Sequence, residues 1–165
     1  MDLWDRVVDP HEVDVSTLSA KNLVGLALDV IKDTATLFEP VFEQVFPGAH
    51  RQLVNSLLQS RDAGPAGWAD RGSFFEQYLA RYDELPPTAV VPAVGPFMTA
   101  TVRLAEGIVE KRFDPDGAME VLSSCYESIL MSRLSGRIKA ADEEADPVCR
   151  RAVQGQLDAI AKYVR

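Results

Sequence analysis

Few residues in this chain are equipped for nucleophilic, acid–base or metal chemistry. There are two histidines, His11 and His50, and two cysteines, Cys125 and Cys149. No Glu-x-x-His or His-Glu-x-x-His occurs, so the di-iron bundle and zinc-protease constellations are missing. The Gly-x-Ser-x-Gly elbow, the phosphate-cradling Walker loop and the dinucleotide fingerprint are absent too. A Ser-His-Asp or Cys-His site would have to run through His11 or His50. His11 falls in an acidic leading segment and His50 follows a Pro-Gly turn, so both read as ordinary surface groups. The cysteines have neither metal nor redox spacing. Cys125 falls on an apolar stripe with no basic neighbour to activate it, and reads as core.

Carboxylates are plentiful. Glu39 and Glu43 are one helical turn apart, suited to acid–base work or a hard cation, but read more simply as a solvated face. The run Asp142 to Asp146 suggests a magnesium motif but lacks a second acidic partner, and reads as a helix-end loop. Tyr78, Tyr82 and Tyr126, with Arg81 or Arg133, could line a pocket. Tyrosines at helical spacing are expected at the core edge, hydroxyl in water. No catalytic residue, metal site or cofactor is implied.

These groups are carried by a helical pattern. The longest mostly apolar stretch, Thr88 to Phe113, has no charge from Thr88 through Val102. Within it Val94, Phe97, Thr101, Leu104, Ala105, Ile108 and Val109 recur at steps of three and four, one face of a helix. Pro96 predicts either a kink or a short first helix ending near Gly95. Upstream, Leu23, Leu26, Ala27, Val30, Ile31, Thr34 and Phe38 form a stripe that opens near Ser16 or Ser19. Pro40 can open a second short helix, with Val41, Phe42, Val45 and Phe46 apolar, which Pro47-Gly48 closes before a helix over about Ala49–Ser60. Ser73 to Glu76 has a capping-box pattern opening the next helix. Asp114-Pro115 and Asp146-Pro147 each place an N-cap before a first-turn proline. The helix after Pro115 carries Ala118, Val121, Leu122, Cys125, Ile129 and Ser132 at helical spacing and is expected to run on toward Ala141. The reading is all-α: a single-domain bundle of about six to seven helices with proline-broken segments, residues 19–165, preceded by an acidic lead-in arm, residues 1–18.

Order and pattern in this region resemble the bacterial YjaG-like helical family, a group without an established function. The resemblance rests on Val90, Pro92, Ala93 and Val94 within the central stretch, on LFEPVFEQVFPG and on RQLVNSLLQ upstream. It covers roughly Asn22 to Arg133. The acidic-basic-aromatic cluster that the family shows near the end of the first helix is represented only by Asp29, Lys32 and Asp33. The resemblance implies an all-helical bundle and carries over no site residues.

The 165 residues are 47% hydrophobic, enough for a sizeable core, and carry 17 basic against 25 acidic side chains, a formal charge of −8. Phosphate-backbone binding needs a basic footprint, so no nucleic-acid partner is expected. No uncharged run reaches a membrane span of about 20 residues, and the start lacks a signal-peptide pattern, so a cytoplasmic location is expected. The preferred reading is a non-enzymatic interaction protein with a basic protein partner, for example an immunity-type inhibitor of a basic toxin. Trp4, Asp5, Asp62, Trp68, Asp70, Asp142, Glu143 and Glu144 are the candidate contacts. The alternative is a small-molecule binder or enzyme with a pocket beside the central helix, using Tyr126 or Arg133. A homodimer through an apolar helix face is the third reading.

Overall fold

The computed structural model describes residues 1–62, 71–87 and 91–165. All regular structure among them is helical. Six long helices form the body: α3 (Ala20–Leu37), α5 (Gly48–Asp62), α6 (Gly72–Asp83), α7 (Val94–Val109), α8 (Pro115–Arg133) and α10 (Pro147–Val164). The short segments α1 (Asp2–Val7), α2 (Glu12–Val15), α4 (Phe42–Val45) and α9 (Ala140–Ala145) take the count above the six to seven expected. α4 is the short helix expected after Pro40, whereas α1, α2 and α9 were missed because one or two turns hold too few residues to show a period.

The helix starts follow from local chemistry. Ser19 accepts from the Asn22 N–H, Asp114 from Gly117 N–H, and Asp146 from both Val148 and Cys149 N–H. Each satisfies donors that a helix start leaves open. Ser73 does not play that part: α6 begins a residue earlier at Gly72, with Arg71 at the cap position and no side-chain cap. Pro96 neither kinks nor splits the central helix. α7 starts only at Val94, which puts Pro96 in the first turn, where a missing N–H has no helical partner.

α7 packs against α8, and α3 lies across both. α10 closes the α3/α8 side, α6 covers the far side of α7, and α5 touches α3 and α6. The stripes expected from spacing face this interior: Leu26, Ala27, Val30 and Ile31 of α3, Phe97, Leu104 and Ala105 of α7, and Val121, Leu122, Cys125 and Ile129 of α8 are all buried. Buried residues from helices throughout the chain make one contiguous cluster.

The turn between α7 and α8 is tight for a stated reason. Lys111 N–H donates to Ile108 O at 3.1 Å and Arg112 N–H to Gly107 O at 2.9 Å, a Schellman closure. This puts Lys111 at φ 54°, a left-handed conformation that a side chain disfavours. Gly107 leaves room for Phe113, whose ring carbon would stand 2.6 Å from an added Cβ. Lys111→Gly is therefore expected to stabilise the fold by about 0.5–1 kcal/mol, read as a raised urea midpoint with unchanged slope.

Two further corrections concern the C-terminal third. α8 stops at Arg133 instead of running to Ala141, and the acidic run expected as a loop, Asp142 to Asp146, forms most of α9 and the cap of α10. Asp142 accepts from the Lys139 N–H at 2.9 Å, which starts α9 locally.

Candidate functional site

Residues 1–18, the acidic lead-in, are largely helical and pack on the body. α1, a 3-10 turn over Asp9–His11 and α2 lie against α8, α9 and α10. Leu3, Trp4, Val8 and Val15 are buried on the inner side. Three polar contacts fix this segment in place. The Trp4 indole N–H donates to Gln156 Oε1 at 2.8 Å, and Gln156 Nε2 donates to the Leu122 carbonyl at 2.9 Å. Glu143 accepts the Leu3 N–H at 2.5 Å, so α9 caps the first turn of α1 from across the chain. On the surface Arg6 bridges Asp2 and Glu144.

Between this segment and α8 runs an open groove of about 570 Å³, lined by Trp4, Asp9, Glu12, Asp116, Met119, Glu120, Ser123 and Ser124. Trp4 and Met119 are nearly buried and make an apolar floor. Four carboxylates stand around it and no basic side chain lines it. Glu120 is paired with Arg103, whereas Asp9, Glu12 and Asp116 make no ion pair among the described residues.

The candidate contacts named from sequence separate into groups. Trp4 and Glu143 are buried and present little surface. Asp5, Asp142 and Glu144 are exposed. α1 packs on α9, so the leading segment and the acidic run, far apart in sequence, form one neighbourhood. Trp68 and Asp70 lie outside the described residues, as does the side chain of Asp62. Asp116, Glu120, Ser123 and Ser124 were missed. Their spacing of four, three and one places them on one polar helix face, and that was the available signal.

A second polar cluster joins α3, α5 and α10. Asp29 accepts from Arg61 Nε at 2.9 Å, from Lys162 at 2.7 Å and from the Tyr163 hydroxyl at 2.9 Å. Burial pushes the Asp29 carboxyl up, but the hydrogen bonds from Lys162, Arg61 and Tyr163 outweigh it, and its pKa lies below the ordinary value. Burial, then the hydrogen bond to Asp29, moves the Tyr163 phenol the other way, up to about 12. Asp33, close by, is raised by burial and then by the Asp29 charge. Gly25 gives Tyr163 its place, since an added Cβ would stand 2.7 Å from the hydroxyl.

A third cluster centres on Asp146. Besides capping α10 it accepts from Arg133 Nε at 3.1 Å, and Arg133 continues to Glu39 at 3.2 Å. Arg151 reaches Glu39 as well. Burial raises the Asp146 carboxyl, and the Cys149 N–H and Arg133 more than reverse this, leaving it lowered. A shallow cavity of about 480 Å³ beside it is lined by Leu134, Ser135, Ile138, Asp142, Ala145, Asp146 and Pro147.

Groups suited to catalysis are placed unfavourably for it. Burial holds the Cys125 and Cys149 thiols at about 12, so both are neutral at physiological pH. Tyr78 and Tyr126, expected at the core edge with hydroxyls in water, are fully buried. His50, read as a surface group, is buried with no partner for Nδ1 among the described residues, while His11 pairs with Asp14 at 2.8 Å. Arg133 and Tyr126, the polar groups expected in a pocket beside the central helix, are respectively tied to Asp146 and enclosed. Among the described residues no three His, Cys, Asp or Glu side chains gather as metal ligands, and no helix is long and apolar enough to cross a membrane. No family model, curated protein or solved structure matches this chain.

Proposed function

We propose that this protein is a non-enzymatic interaction protein that receives a basic protein partner in the groove between its leading segment and α8. The observation that carries this reading is the groove itself: four carboxylates, three of them without an ion pair among the described residues, around an apolar floor of Trp4 and Met119. Such a surface attracts a lysine- or arginine-bearing segment over roughly a Debye length of 8 Å and gives its aliphatic stems something to lie on. An immunity-type inhibitor of a basic toxin is a concrete form of this function, because charge complementarity there sets the association rate.

The test is affinity capture from host lysate with wild-type protein and with Asp9→Lys/Glu12→Lys/Asp116→Lys, at low and high salt. All three residues are exposed, so the variant is expected to keep the wild-type melting temperature. A basic protein retained by wild type at low salt is expected to be lost from the variant, with its association slowed at least about tenfold. Equal retention by both proteins would refute the groove as the contact surface.

A further inference from the structure

We infer that Glu143 and Gln156 are positioning residues for the groove, holding residues 2–15 as a strap that opens and closes as a unit while α3, α7, α8 and α10 stay folded. The observations lie under the strap. Glu143 is 2% exposed and Gln156 is 3% exposed, yet each gives a side-chain oxygen to it. Glu143 makes no ion pair among the described residues, and the hydrogen bond it receives comes from the strap backbone at Leu3. A carboxylate without a cation is costly in an interior that never opens. Beneath a segment that lifts away the cost is limited, because opening returns the carboxylate to water. Gln156 behaves alike: opening frees Oε1 from Trp4 to water while Nε2 keeps its bond to Leu122 O.

The strap is held by Leu3, Trp4, Val8 and Val15, whereas the body is held by the large shared core of the long helices. Its local stability should therefore fall below that of the body. Trp4, Asp9 and Glu12 belong to the strap, and Asp116, Met119, Glu120, Ser123 and Ser124 to α8. Opening thus removes one wall of the groove. A ligand that needs both walls binds only the closed form and favours it. This consequence rests on the function proposed above; the opening itself does not.

Native-state hydrogen exchange on the full chain tests both parts. The Asp5, Val8 and Ser16 amides, which donate to Met1, Trp4 and Glu12 carbonyls, report the strap. They are expected to exchange at least about tenfold faster than core amides of α7 and α8, with little dependence on low denaturant. Glu143→Gln is expected to speed strap exchange a further fewfold and leave α7 and α8 unchanged. Arg6→Gln, a surface change that cannot disturb the core, is expected to act in the same direction more weakly. Strap amides that exchange only with global unfolding, or a Glu143→Gln effect spread evenly over all helices, would overturn the inference. Repeating the measurement at low salt with deca-lysine separates the two proposals. Slower strap exchange with the peptide, weakened by Glu143→Gln, supports both. A strap that opens locally but ignores the peptide would leave the strap standing and overturn the groove as a basic-ligand site.

Discussion

Asp29→Asn is expected to destabilise the protein by about 2–3 kcal/mol at neutral pH, through lost charge-assisted hydrogen bonds rather than lost volume. The residue is only 8% exposed and ties together three helices, through Arg61 on α5 and Lys162 and Tyr163 on α10. Asparagine fills the same space, but its amide nitrogen offers donors to donors. Breaking a truly enclosed pair costs about 3–5 kcal/mol, and the exposure of Lys162 places the expected loss below that. Equilibrium urea unfolding measures it.

The same contacts make stability depend on pH at both ends of the range. The folded-state pKa of Asp29 lies below the ordinary 3.8, so the unfolded chain takes up the proton first on acidification. The stabilisation is complete above that value and is lost as pH falls through the folded-state pKa. Asp29→Asn should flatten this acid limb. At the alkaline end the Tyr163 phenol is held at about 12 against an ordinary 10.0, so its contribution is present below pH 10 and declines from there to about 12. A Tyr163→Phe variant should lose that alkaline decline. Acid and alkaline limbs identical to wild type in both variants would show that this cluster does not couple α3 to α10.

Phe97→Ala is expected to cost more, about 3–5 kcal/mol, with an unchanged denaturant slope. Phe97 is fully buried near the start of α7, and three other phenylalanine rings surround it. Its centroid lies 5.5 Å from Phe38, 5.2 Å from Phe46 and 6.2 Å from Phe42. The Phe38 and Phe46 contacts are edge-on, the arrangement aromatic quadrupoles favour. These rings attach α4 and the end of α3 to α7, so truncation leaves a cavity at the seam between separate elements. Phe97→Leu, which keeps most of the volume, should cost under about 1.5 kcal/mol. Equal losses in the two variants would mean that ring geometry, not the filled volume, is what matters at this seam.

Helix class and inward faces were legible in the chain because they depend on near neighbours. Spacing of three and four placed Leu26, Val30, Phe97, Leu104 and Val121 inside, and Asp-Pro pairs marked the starts of α8 and α10. The short helices of the leading segment were not legible. Packing on α8, α9 and α10 gives residues 1–18 their order, and those contacts bridge up to 152 positions, as from Trp4 to Gln156. Asp29 lay in plain view within the apolar run of α3, and a carboxylate there signals a buried partner, but nothing local says that Arg61 and Lys162 supply it. The groove divides the same way. Its acidity follows from composition and from the polar face of α8. Its existence follows from Glu143 and Gln156 fastening the other wall, a pairing that only the folded chain brings within hydrogen-bond reach.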